Sequence, residues 1–141
     1  MKYENILLIG SSGKLGKAIL NLQSSSFLTP SGDILDITKP NTIQSFFKKN
    51  KVDAIIHCAA MARMMECHQN PTKAIETNVI GTANLVSEAI KKENKQDKKI
   101  RFIHISTDGV YEGKTGNYSE KDPTIPYNIY GWTKLGAECS V

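Results

Sequence analysis

No apolar run in this 141-residue sequence approaches the length of about 20 residues that spans a bilayer, which argues against a membrane segment. Only "ILLIG", Ile6 to Gly10, separates the opening Met1-Lys2-Tyr3-Glu4-Asn5 from "SSGK", too short for the apolar core of an export signal. Cysteine is equally scarce. Cys58, Cys67 and Cys139 are odd in number and contain no C-x-x-C, so a disulfide framework is not expected and a reducing cytoplasm is the expected location. Internal repeats, low-complexity tracts and linker-like stretches are missing too. Hydrophobic residues at 40% and charged residues at 23% are those of a globular chain rather than a disordered one, and the length suits one domain with a real core.

The net charge of +4 is concentrated rather than spread. "KKENKQDKK", Lys91 to Lys99, holds five lysines against Glu93 and Asp97, with no aromatics interleaved. This composition reads as a solvated helix end and loop, so no nucleic-acid partner is expected.

What is present is an alternation of strands and helices. "NILLIG" is a short buried-strand run, and Lys14 to Leu22 follows with apolar residues at 15, 18, 19 and 22, a helical spacing. "SFL", residues 26 to 28, reads as a short second strand, Thr42 to Lys51 as a helix and "VDAIIHCAA" as a third strand. Pro71 opens a long helical pattern through Ile90, "IRFIHIST" is a fourth strand, and a Gly/Asp/Pro-rich loop leads to a last helix at "YNIYGWTK". Such alternation implies an α/β fold with a parallel sheet and right-handed crossovers, where ligands sit beyond the carboxyl ends of the strands. The residues directly after each strand therefore carry the functional information.

After the first strand, "GSSGKLG" spaces Gly10, Gly13 and Gly16 three apart. Glycines there allow a tight turn, a close backbone approach to a pyrophosphate, and close contact between helix and sheet, while the helix N-terminus adds partial positive charge. The motif is a variant of the dinucleotide fingerprint. Asp33 and Asp36 are the candidates for an acidic partner of the adenosine ribose, and no arginine marks a 2′-phosphate site, so NAD and NADP both stay open. "CAA", Cys58 to Ala60, offers small residues where a flat cofactor could pass. Asn78, polar inside an apolar helical pattern, either caps an irregularity or fixes backbone near the site. "STDGVY" places Ser106, Thr107 and Asp108 at the edge of the sheet. In the last helix Tyr130 and Lys134, four apart, share one face, and an ammonium beside a phenol favours the phenolate needed for proton transfer.

Taken together, "GSSGKLG", "LDIT", "CAA", "TNVIGT", "STDGVY" and "YGWTK" resemble the extended short-chain dehydrogenase/reductase superfamily. Within it they are similar to the dTDP-4-dehydrorhamnose reductase-like sugar-nucleotide reductases, in the same order along essentially the whole chain. The resemblance implies a Rossmann-type sheet with helices on both faces, truncated before its last strands and substrate domain, so that residues 1–141 form an incomplete NAD(P)-binding domain. It implies Thr107, Tyr130 and Lys134 as catalytic residues. Tyr130 protonates the carbonyl oxygen, Lys134 assists it and holds the nicotinamide ribose, and Thr107 holds the carbonyl. It places the coenzyme against Gly10, Ser12, Gly13, Lys14, Leu15, Gly16, Asp36, Ile37, Cys58, Ala59, Ala60, Asn78, Ser106, Tyr130 and Lys134.

Two departures stand out. "MARMMECHQNP" puts Met61, Ala62, Met64 and Met65 where the family often has polar residues, which leaves the particular sugar open. Cys67-His68, adjacent and without further ligands, cannot build a metal site. Members of the family also run to roughly twice this length. The expected function is an NAD(P)-dependent 4-keto nucleotide-sugar reductase of surface-polysaccharide synthesis, inactive as this chain alone. The alternatives are a non-catalytic nucleotide-binding or regulatory subunit and a nucleotide-sugar epimerase or 4,6-dehydratase. Self-association through an open sheet edge is a further expectation.

Overall fold

The computed structural model describes residues 3–22 and 27–141. Its centre is a parallel sheet of β1 (Ile6–Ile9), β2 (Phe27–Leu28), β3 (Ala54–His57) and β4 (Arg101–His104), in the order β2-β1-β3-β4. Ile6 pairs with Ala54 and Ala54 with Arg101, so the three longer strands run in register and end together at Ile9, His57 and His104. The α/β reading with a Rossmann-type parallel sheet is the observed fold. The expected second strand began at Ser26, which lies outside the described residues, as do Met1 and Lys2 of the leader reading.

Helices connect the strands: α1 (Lys14–Leu22), α2 (Pro40–Lys49), α3 (Met64–Gln69), α4 (Pro71–Ile75), α5 (Gly81–Gln96) and α6 (Ile129–Glu138). Between α4 and α5 the helix widens into one π segment, Glu76–Ile80. Helix α2 starts two residues before the expected Thr42, because Pro40 at its first turn needs no hydrogen-bond partner for its nitrogen. Helix α3 is an element that the apolar spacing did not announce.

Burial follows from the alternation of the strands. Leu7, Ile9 and Ile55 point to one face and pack with Ile43, Phe46 and Phe47 of α2 and Leu85 and Ala89 of α5, forming the core, while Leu8 is fully buried on the other face. The lysine-rich stretch is tied to the body of the protein. Lys92 Nζ donates to the Phe47 carbonyl at 2.8 Å, Lys98 Nζ meets the buried Asp53 carboxylate at 2.6 Å, and Glu93 accepts from the Ile100 amide at 2.6 Å. Asp97 at the end of α5 adopts the left-handed conformation, φ 49°, that closes helices. These contacts lock the α5-to-β4 connection, which sets the height at which β4 delivers Ser106 and Thr107. No described helix is long and apolar enough to cross a membrane.

Candidate active site

The glycine turn is dictated by contact. Gly10 has φ +85°, and a Cβ there would lie 2.6 Å from the Ala59 amide nitrogen, so a side chain would push β1 away from the chain leaving β3. A Cβ at Gly16 would run into the Gly10 carbonyl oxygen, so that glycine lets α1 start against the turn itself. The Gly13 amide donates to the Gly10 carbonyl at 3.1 Å and closes the turn. In front lies a cleft of about 980 Å³ lined by Gly10, Ser11, Ser12, Asp36, Ile37, Ala59 and Ala60, among others. Its floor is backbone and small side chains, and this cradle fits the diphosphate and flat rings of a dinucleotide.

Not every expected coenzyme residue faces that cleft. Lys14 and Leu15 are exposed on α1 and do not line it. Asp36 lines it, but its carboxylate is engaged: Oδ1 accepts from the Thr38 amide and hydroxyl at 3.0 and 2.7 Å, and Oδ2 meets Lys39 at 3.1 Å. The Thr38 hydroxyl and amide, followed by Lys39, hold its pKa below the ordinary carboxylate value. Asp33 lines the same cleft. Ser106 lies in a separate hollow with His104, Thr107 and Glu138, and its hydroxyl donates to the Glu138 carboxylate. Burial raises the Cys58 thiol, with the Lys134 charge pulling it the other way.

Asn78 lies in an irregularity but does not cap it; its amide holds other backbone. It sits in the π segment, and its amide clasps the backbone of Met61: Oδ1 accepts from Met61 N at 2.8 Å and Nδ2 donates to Met61 O at 3.0 Å. Nδ2 also donates to Thr133 Oγ1 at 2.9 Å, and that hydroxyl donates to the Tyr130 carbonyl at 2.8 Å. One buried amide thus ties the segment after β3 to the helix that carries Tyr130. Such single-turn π segments are frequent at functional sites. Asn78→Ala would leave the Met61 groups and Thr133 without their partner in the interior, a cost of about 2–3 kcal/mol. Urea denaturation checks this, and a loss below about 0.5 kcal/mol would mean that the clasp is not structural.

Helix α6 is set by its own cap. The Asn128 side chain accepts from the Gly131 amide at 2.8 Å, and a Cβ on Gly131 would strike the Gly109 carbonyl oxygen. The first turn of α6 therefore lies directly against the 3₁₀ turn Asp108–Val110 that follows β4, which brings Tyr130 to the segment carrying Thr107. Thr107 Oγ1 accepts from the Gly109 amide at 3.1 Å and donates to Asp108 at 3.2 Å.

Lys134, one turn after Tyr130, is only 3% exposed. Its Nζ donates to the Ile105 carbonyl at 2.6 Å and to His104 Nε2 at 3.0 Å. Burial lowers its pKa to about 8, against the opposing pull of Glu138 and Cys58. Sequence reasoning missed its neighbours His104 and His57. Each is the polar residue that ends its strand, a signal visible only once the strands are paired.

The comparisons agree with this geometry. A dTDP-4-keto-6-deoxy-D-glucose reductase of Streptomyces niveus is 30% identical over 139 residues, 96% of this chain and 46% of that protein. Methionine adenosyltransferase 2 subunit beta of Mus musculus is 29% identical over 146 residues, 96% of this chain and 42% of that protein. The crystal structure of a dTDP-4-dehydrorhamnose reductase of Bacillus anthracis in complex with NADP superposes with a TM-score of 0.86 at 27% identity, covering 100% of this chain and 50% of that one. The chain thus spans about half the length of the relatives it matches. The RmlD substrate binding domain model matches residues 4–141, and the chain belongs to that family.

Proposed function

We propose that these residues are the coenzyme-binding and proton-donating part of an NADP- or NAD-dependent reductase of 4-keto nucleotide sugars. The observation that carries the reading is Lys134. An ammonium is costly to bury, and a lysine with a purely structural role keeps its charge in water. Here it is held almost completely buried at the carboxyl edge of the sheet, one turn from Tyr130 on a helix pressed against the Thr107 segment.

The roles follow from position. The Gly10–Gly16 turn and the start of α1 hold the pyrophosphate, with Ala59 and Ala60 against the rings. The nicotinamide coenzyme, when bound, supplies the hydride. Thr107 turns its single hydroxyl proton from Asp108 to the carbonyl oxygen of the sugar when substrate binds, and Tyr130 delivers the proton to that oxygen. Lys134, anchored by Ile105 and His104, keeps the third of its N–H groups for the ribose, and its charge one helical turn away assists Tyr130. Asn78 holds the intervening backbone rather than reacting. Two relatives are named as nucleotide-sugar reductases, one of them solved with NADP, which supports this substrate class and coenzyme. A relative named as an enzyme subunit raises the alternative of a non-catalytic subunit. Thr107, Tyr130 and Lys134 on adjoining segments favour the reductase, because a binding module has no need of all three.

This chain is expected to bind either coenzyme weakly through the glycine turn, with a Kd nearer millimolar than micromolar, about −4 rather than −8 kcal/mol. Titration calorimetry or ligand-shift NMR reads it. Silence at several millimolar of both coenzymes would sink the coenzyme assignment.

A further inference from the structure

Proton bookkeeping in the buried polar cluster under Lys134 leads beyond the three catalytic candidates. The cluster begins on α5. Thr82 Oγ1 lies 2.7 Å from the Asn78 carbonyl, which can only accept, so the single hydroxyl proton is used there. His57 Nε2, 3.1 Å from the same Oγ1, must then be the donor, and the neutral ring carries its lone pair on Nδ1. At the other end the Lys134 ammonium can only donate. His104 Nε2, 3.0 Å away, is therefore the acceptor, and the neutral ring of His104 carries its proton on Nδ1.

The two imidazoles are thus opposite tautomers. One leaves an acceptor at Nδ1, the other a donor at Nδ1, and among the described residues these two atoms are the buried side-chain polar atoms that lack a partner. They belong to residues paired across β3 and β4, with ring centroids 5.4 Å apart and ring planes tilted by 46°. A buried donor and a buried acceptor are each costly to leave without a partner. Burial, then neighbouring positive charge, lowers the pKa of His57 to about 3, and burial and Lys134 lower that of His104 to about 4, so both rings are neutral at pH 7.

We propose that His104 Nδ1–H donates to His57 Nδ1 through one water. This completes a single chain of hydrogen bonds from Lys134 Nζ through His104, His57 and Thr82 to the Asn78 carbonyl. The pair is a positioning device. By engaging the Nδ1 proton of His104 it reinforces the tautomer whose lone pair faces Lys134, so the ammonium is held by two acceptors and its remaining N–H is aimed in one direction. The consequence for turnover rests on the reading of Lys134 given above. The proton arrangement does not, and it can be tested without coenzyme or substrate.

Long-range ¹H–¹⁵N correlation spectra of the chain at pH 7 report which ring nitrogen carries the proton. The expected result is His57 protonated at Nε2 and His104 protonated at Nδ1. Two rings of the same tautomer, or either ring charged, would overturn the proposal. In His57→Phe the tautomer of His104, held by Lys134, is expected to persist, but its Nδ1–H loses its acceptor and its proton resonance should move upfield. Lys134, facing a less polarised acceptor, should then titrate about one pH unit lower by its side-chain carbon shift. His57→Asn offers a carbonyl oxygen close to the position of Nδ1 and should restore both readings. A His104 Nδ1 proton resonance unchanged in His57→Phe would remove His57 from the chain. A catalytic assignment to residues other than Tyr130 and Lys134 would leave all of these readings in place.

Discussion

Replacing Tyr130 by phenylalanine, in a protein that joins this chain to the second half its relatives possess, is expected to lower turnover by about 10²- to 10⁴-fold and to leave coenzyme affinity nearly unchanged. The change deletes one hydroxyl and keeps the ring. Tyr130 is half-buried, and its backbone carbonyl, not its phenol, takes part in the Asn78–Thr133 clasp, so the helix keeps its anchor. A donor used only as the carbonyl is reduced contributes to the transition state and little to the ground state, which places the loss in kcat rather than in KM. Stopped assays of coenzyme oxidation, beside coenzyme titration of the same variant, separate the two. Near-normal turnover would place the acid elsewhere.

Much of this site was legible because it is local in sequence. "NILLIG" followed by spaced glycines is an apolar strand running into a turn, and the reason for two of those glycines is contact with Ala59 and Ser11. The spacing of Tyr130 and Lys134 needs only a helix, and Asn128 caps one. What escaped is non-local. The π segment has the composition of any helix, since one extra residue in a turn changes hydrogen bonding and not hydrophobicity. Helix α3 buries only Cys67 and exposes Met64 and Met65, so its residues show no apolar stripe to read. The anchors of Lys134 come from a strand about 30 positions earlier, and His57 joins them only through the register of β3 and β4. Asp36 carried the opposite lesson. It is one of two candidate ribose partners and lines the cleft, but the sequence does not show that a hydroxyl and amide two residues on and a lysine three residues on already contact its oxygens.

The 141 residues by themselves are expected to show no measurable reduction of a 4-keto nucleotide sugar and to associate in solution. On the side of the site away from the coenzyme cleft the described residues form only an open hollow, lined by Ser106, Thr107, Asp108, Tyr111 and Glu138 among others. Tyr127 and Trp132 are 69% and 55% exposed around α6, and Met64 and Met65 of α3 stand in the open nearby. A substrate met by one open wall is not held within reach of Tyr130 and Thr107. Loss of that positioning can remove several kcal/mol of barrier lowering, about 7–11 kcal/mol when it is complete. The second expectation rests on β4, which has β3 on one side only in the described sheet. Its outer edge presents unpaired backbone beside Ile103, 43% exposed, and near a hollow lined by Ile90, Phe102 and Val141. A strand edge with apolar neighbours is a template for another strand, and Arg101 is the one charged residue of β4 that blunts it. Light scattering should therefore report species larger than 15.6 kDa at high concentration. Ile103→Lys should shift them toward the monomer, because the added charge must be desolvated for edges to meet. A monomer at every concentration, turning over a 4-keto nucleotide sugar, would show that the site is complete within these residues and that β4 is protected by its own sequence.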